Sequence, residues 1–321
     1  MSEPTEFDDR ALSLALSRVT EQAAIAAADY IGRGDERAAD TAAVDAMHRE
    51  LSRLDIQGTI VVGEGAEGDA PKLYQGEVVG ALSCPEVDIA ADALEGVTLT
   101  AKDSRNAMSV ICIAPRGSLM QVPEVYMDKL AIGPGYPAGT VSLDMSPAER
   151  VQALAAAKGC APRDIVVSML ERPRHMPMLD ELRQTGASVR LLSDGDVAGV
   201  LNVAEPDLTG IDMFMGAGGA LEGVLAAAAL KCLDGQFYGR LLARNDDERV
   251  RAASAGFRDL SRIYSRDDLV SDHVIFAATG VTGNAMIHGI RRSPTHITTE
   301  TLLMRTRTGS VRRMSYRFPR S

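Results

Sequence analysis

The chain is short of cysteine pairs, histidine pairs and long apolar runs, and each shortage removes a class of function. Its four cysteines, Cys84, Cys112, Cys160 and Cys232, show no C-x-x-C spacing. They read as reduced thiols, three of them in core segments. The five histidines include no H-x-x-x-H pair, so a zinc site is not expected. No apolar stretch approaches the ~20 residues of a membrane span, and the acidic residues 1–10 lack the apolar region of a secretory signal. No membrane partner is therefore expected, and the cytoplasm is the expected compartment. A net charge of −10 argues against nucleic acid as a partner. No internal repeat or low-complexity segment is visible.

What remains is an ordinary globular composition, 45% apolar and 24% charged over 321 residues, enough for two domains or one large α/β unit. Residues 8–31 and 36–54 read as helices separated by Gly32-Arg33-Gly34-Asp35. A strand over 59–62 follows. Segments 109–114 and 117–122 alternate around Pro115-Arg116 and predict a hairpin. Ser146, Pro147 and Glu149 form a capping-box signature, and the domain boundary is placed there, at 145/146. Beyond it, helices over 147–157, 177–185, 197–203 and 221–233 alternate with strands over 164–170, 188–192 and 212–215. That series predicts a mostly parallel sheet, with ligands at the strands' carboxyl ends. The tail carries a helix near 246–258, a strand over 272–277, and a hairpin of 298–306 with 310–318 around Arg307-Thr308-Gly309. Its arginines alternate with apolar residues, as a solvated face or a subunit contact would.

The chemistry-bearing residues cluster at strand ends. Val87 to Gly96 is an apolar run that ends in Asp92 and Glu95, three residues apart. A buried pair of carboxylates is costly without positive charge nearby, and Mg²⁺ or Mn²⁺ suits their oxygens. A solvated acidic turn would leave the same trace. Glu64 lies between Gly63 and Gly65, as a ligand or as a loop tip. Asp35 is placed either to cap the second helix or to bind metal, or both. Tyr126 and Lys129 are substrate contacts or surface residues. Met213-Phe214-Met215-Gly216-x-Gly218 imitates a dinucleotide fingerprint, but Leu221 occupies the third glycine position and no second strand ending in an acid follows. Glu222 nearby adds another carboxylate. Asp35, Glu64, Asp92, Glu95 and Glu222, set against Arg172 and Arg174, form the donor set of metal-assisted phosphate-ester hydrolysis.

Gly32-Arg33-Gly34-Asp35, Val62-Gly63-Glu64-Gly65, Val87-Asp88-Ile89-Ala90-Ala91-Asp92-x-x-Glu95-Gly96, Tyr126-Met127-x-Lys129-Leu130, Pro173-Arg174-His175, Asp194-Gly195-Asp196-Val197, Gly218-Gly219-Ala220-x-Glu222-Gly223 and Gly239-Arg240-Leu241-Leu242-Ala243-Arg244 follow one another in that order. With them the chain resembles the class II fructose-1,6-bisphosphatases of the GlpX type along nearly its whole length. The resemblance implies a layered α/β/α/β/α sandwich of two α/β domains, an α+β metal-binding domain over 1–145 and an α/β sugar-phosphate domain over 146–321. It implies Mn²⁺ or Mg²⁺, a homodimer or homotetramer, and release of the 1-phosphate of fructose 1,6-bisphosphate, with sedoheptulose 1,7-bisphosphate as a second substrate in some relatives. Asp35, Glu64, Asp92, Glu95 and Glu222 would be metal ligands. Glu95, Tyr126, Arg172, Arg174, Asp194, Asp196 and Gly219 would hold the sugar phosphate.

The chain departs from that pattern near the chemistry. Ala93 and Val97 stand where the family has proline and threonine, Gly68 where it has aspartate, and Leu221 where it has proline. The threonine and aspartate would orient the attacking water. Glu67, Asp69 and Thr98 are the remaining candidates for that role, although Thr98 would project differently from position 97 in extended backbone. The alternative expectation is an impaired homologue that binds metal and sugar phosphate as a regulatory or structural subunit.

Overall fold

The structure is a computed structural model that describes residues 9–81 and 85–320. Cys84 and most of the acidic N-terminus lie outside them. Chain contacts divide the protein into two units, residues 1–121 with 270–321, and residues 122–269.

The first unit opens with α1 (Asp9–Ala27) and α2 (Glu36–Leu51). Leu12, Leu16, Val19, Ala23 and Ala27 of α1 are buried at helical spacing, so the helix exists to cover the sheet with one stripe. It ends four residues earlier than the Ala-rich pattern suggests, in a single 3-10 turn, Ala28–Tyr30. Gly32 and Gly34 follow, both with positive φ. The sheet then takes β1 (Gln57–Val62), β2 (Val78–Val79), β3 (Glu86–Glu95) and, after helix α3 (Val97–Ala101), β4 (Met108–Pro115).

The second unit begins with β5 (Tyr126–Ile132) and α4 (Pro147–Lys158). The capping box of α4 is formed: Ser146 Oγ accepts the Glu149 amide and Glu149 Oε2 accepts the Ser146 amide at 2.7 Å, worth about 1 kcal/mol. Next come β6 (Val166–Leu170), α5 (Met176–Gln184), β7 (Ser188–Leu192), α6 (Asp196–Leu201) and α7 (Pro206–Thr209). The unit continues through β8 (Met213–Gly219), α8 (Ala220–Cys232), β9 (Gln236–Leu242), α9 (Asp246–Ser254), β10 (Ile263–Ser265) and α10 (Arg266–Leu269). The chain then returns to the first sheet with β11 (Ile275–Gly280), β12 (Arg291–Arg292), β13 (His296–Arg305) and β14 (Ser310–Pro319).

The first sheet runs β12-β13-β11-β4-β3-β1-β2, with β14 paired to β13, and the second runs β10-β9-β5-β8-β6-β7. An α/β fold on two sheets is therefore present. Three local expectations change. The segment 117–122 is not the second arm of a hairpin, because β4 is already flanked by β3 and β11. Every residue of β4 but the last is buried. The second sheet is mixed: β6 is parallel to β7 and β8, but β5 runs antiparallel to both β8 and β9. The units also part earlier than 145/146, since β5 belongs to the second sheet, and residues 270–320 rejoin the first. The tail hairpin forms as expected, with Gly309 at φ +58 in its turn.

Candidate functional site

In the first unit Glu64 follows the end of β1, and Asp92 and Glu95 lie in the last residues of β3, its parallel neighbour. Asp92 lies opposite Val110 and Glu95 opposite Met108 on β4. Three steps on β3 thus match two on β4, which is a bulge. In a regular strand residues three apart face opposite ways. The extra residue restores parity and turns both carboxylates to one face. Asp92 Oδ1 accepts the Leu94 amide at 3.1 Å, and Glu64 Oε1, just past β1, accepts the Ala93 amide at 3.2 Å. Glu64 is thereby held against the bulge, and Glu95 is 4% exposed.

Asp35 is the N-cap of α2, its Oδ1 accepting the Ala38 amide at 2.9 Å. The turn before it is tied to the element following Glu95: the Gly32 and Gly34 amides donate to the Thr100 and Ala101 carbonyls of α3. Gly63 is fixed by space, since a Cβ there would lie 1.9 Å from the Leu73 carbonyl oxygen, the acceptor of the Glu64 amide.

Glu67 and Asp69 sit on an exposed turn whose Gly68 has φ +95. Val97 and Thr98 open α3 behind Gly96 at φ +90. The backbone there is helical rather than extended, so Thr98 is rotated about 100° from position 97.

In the second unit one edge of the sheet collects the rest. Tyr126 at the start of β5 is opposite Gly219 of β8 and Leu242 of β9, while β6 runs parallel to β7 and β8. The start of β5 and the ends of β6, β7, β8 and β9 therefore share an edge. Tyr126, Arg172, Arg174, Asp194, Asp196, Gly219 and Glu222 follow from it.

Arg172 pairs with Asp194 at 2.7 Å, linking the loops after β6 and β7. Arg174 donates twice to the Ala217 carbonyl, and its guanidinium lies 5.0 Å from the centre of the Tyr126 ring. His175, 4% exposed, holds the same residue from the other side. Its Nε2 accepts the Ala217 amide at 2.8 Å, so Nδ1 carries the proton donated to the Leu170 carbonyl. Burial pushes this imidazole's pKa below its usual value, in keeping with a neutral ring that fixes backbone. Glu222 folds back over Gly219, where a Cβ would meet its Oε2 at 2.0 Å. That oxygen is buried and meets no donor among the described residues.

Two features escaped the sequence. Arg244, two residues past β9, stacks 3.7 Å from the Tyr126 ring centre and is braced by Glu248. In the sequence it closes the Gly239-Arg240-Leu241-Leu242-Ala243-Arg244 motif, with no role read for it. Lys129 is no surface contact: it is fully buried and ion-paired to Asp196.

Carboxylate oxygens are the donors that Mg²⁺ and Mn²⁺ take, and a buried Glu222 oxygen lacking a donor among the described residues is of that chemistry. Among the described residues no three acidic, histidine or cysteine side chains are gathered to hold an ion. Among the described residues no helix is long and apolar enough to cross a membrane.

Residues 10–318 match the family model described as bacterial fructose-1,6-bisphosphatase, glpX-encoded. The chain is 40% identical over 318 residues to fructose-1,6-bisphosphatase 1 class 2 of Escherichia coli (strain K12), covering 95% of this chain and 94% of that protein. A class 2 fructose-1,6-bisphosphatase of Shigella flexneri is similar to the same extent.

Proposed function

The chain belongs to the family of glpX-encoded bacterial fructose-1,6-bisphosphatases, and on that premise we propose that it hydrolyses the 1-phosphate of fructose 1,6-bisphosphate. The observation that carries the reading within the chain is the shared sheet edge, which brings Tyr126, Arg172, Arg174, Asp194, Asp196 and Gly219 to one side of the second unit.

Asp35, Glu64, Asp92 and Glu95 in the first unit, and Glu222 in the second, would be ligands of divalent cations, Mn²⁺ or Mg²⁺. When bound, such an ion supplies positive charge for the phosphoryl oxygens and lowers the pKa of water. The chain's own groups do the rest. Arg172 and Arg174 take phosphate oxygens with guanidinium forks, and their present anchors, Asp194 and the Ala217 carbonyl, set their direction. The Tyr126 hydroxyl and the Gly219 amide donate to the sugar phosphate, and Asp194 and Asp196 accept from sugar hydroxyls. Glu67, Asp69 and Thr98 are the groups left to orient water. The same reading carries gluconeogenic carbon metabolism, a cytoplasmic setting, a homodimer or homotetramer, and sedoheptulose 1,7-bisphosphate as a second substrate to assay. No observation favours the binding-only alternative raised by Val97 and Gly68.

The direct test is phosphate release from fructose 1,6-bisphosphate with Mn²⁺ or Mg²⁺, abolished by a chelator. A wild-type protein silent with both metals, yet active as Val97→Thr, would sink the reading of a working enzyme. Arg172→Ala is expected to raise KM at least about tenfold, since it removes a charged fork and frees Asp194; initial-rate kinetics check it. Gly219→Ala is expected to push the Glu222 carboxylate aside and weaken Mn²⁺ binding about ten- to hundredfold. Its melting temperature should hardly change, because a flexible side-chain tip yields more easily than backbone. Calorimetric Mn²⁺ titration beside a thermal melt reads both.

A further inference from the structure

The ion pair between Lys129 and Asp196 lies under the sheet edge just described. Lys129 is fully buried on β5 and Asp196, the first residue of α6, is 8% exposed. The ammonium bonds Oδ2 of the carboxylate. Oδ1 is buried as well, yet meets no donor among the described residues. We propose that Lys129 is a positioning residue: by holding Oδ2 from below, it presents Oδ1 of Asp196 as the acceptor for a hydroxyl of the bound sugar. The inference rests on the reading that Asp196 meets the sugar.

The surroundings are shaped for this pair. Lys129 lies opposite Gly216 on β8 and Gly239 on β9, so neither neighbouring strand puts a side chain beside it. A Cβ at Gly218 would stand 2.2 Å from Asp196 Oδ2 and 3.4 Å from Lys129 Nζ, and one at Gly223 of α8 would stand 3.5 Å from Lys129 Cε. Within the sequence that imitates a dinucleotide fingerprint, Gly218 thus makes room for the charge pair, while Gly216 makes room for the His175 ring. Serving stability alone, a buried ion pair is no better than apolar side chains of the same volume. A buried carboxylate oxygen without a donor is a further cost that native structures rarely carry. Both features make sense if the missing donor arrives with the ligand. The pair also sits where that ligand would come, because Asp196 lies two residues after Asp194, the partner of Arg172.

The test compares wild type, Lys129→Met, Asp196→Asn and the double variant by steady-state kinetics on fructose 1,6-bisphosphate with Mn²⁺, each with a thermal melt. Lys129→Met is expected to raise KM about tenfold or more, the size of a lost charged hydrogen bond, with kcat within about threefold. The double variant is expected to show the KM of Asp196→Asn alone, because Lys129 acts only through that carboxylate. A Lys129→Met protein that melts earlier but keeps its KM would overturn the inference, as would KM effects that multiply in the double variant. An Asp196→Asn protein with unchanged KM overturns it too. Should Lys129→Met fail to fold with a lone buried carboxylate, the double variant leaves no unpaired charge. Its KM equal to that of Asp196→Asn supports the proposal, and one about tenfold higher overturns it. Wild type without turnover strikes the proposed function instead, and the same comparison is then made by equilibrium binding of fructose 1,6-bisphosphate.

Discussion

Asp92→Asn is expected to lower kcat/KM for fructose 1,6-bisphosphate by on the order of 10³ while leaving the fold in place. The asparagine oxygen can still accept the Leu94 amide, as Asp92 Oδ1 does at 3.1 Å, so the bulge that turns positions 92 and 95 to one face survives. What disappears is one negative charge from the set proposed to hold the cation. The loss should therefore appear as weaker Mn²⁺ binding and lower rate together, with an unchanged melting temperature. Phosphate release measured across a Mn²⁺ titration, beside a thermal melt, reads all three. Full activity in this variant would remove the β3 carboxylates from the site.

Glu21→Gln should stabilise the protein at pH 8 by up to about 3 kcal/mol and change little at pH 4.5. Glu21 on α1 is buried against β13, 5% exposed, and accepts from Thr301 Oγ1 at 3.4 Å. Thr301, Thr279 and Thr20 continue the chain of hydroxyls at 2.7 and 2.8 Å. Burial raises this carboxyl from 4.5 to about 7, against the opposing pull of Thr301 and Arg18. Between those values the folded chain keeps a proton that the unfolded chain releases. Its contribution to stability is therefore complete below pH 4.5 and is lost as pH rises through about 7. Glutamine keeps the shape and cannot ionise, so the variant should lack that slope. Urea denaturation of both proteins across this range is the measurement, and parallel curves would contradict the assignment.

How much of this was legible beforehand depends on the range of each signal. The box around Ser146, the strand Ser188–Leu192, the cap at Asp35 and the tail hairpin at Gly309 are local, written within a few residues by hydrogen bonds and dihedral preferences. The hairpin expected over 109–122 failed for the opposite reason. Alternation shows that a strand is half-buried or buried, but not which strand lies beside it, and β4 took its partners from β3 and from β11 far along the chain. The division at 145/146 failed likewise, because β5 is recruited by β8 and β9.

The sequence by itself determined the residue types: carboxylates at the ends of apolar runs, arginines after a strand, glycines around Glu64 and Glu222, and the succession of motifs that marks the family. Only the tertiary structure decided how they face. The bulge that aligns Asp92 with Glu95, the burial that turns Lys129 from a surface residue into the partner of Asp196, and the stacking of Arg244 on Tyr126 all follow from register. Register is a property of strand pairs distant in the chain, and one inserted residue reverses which side chains share a face.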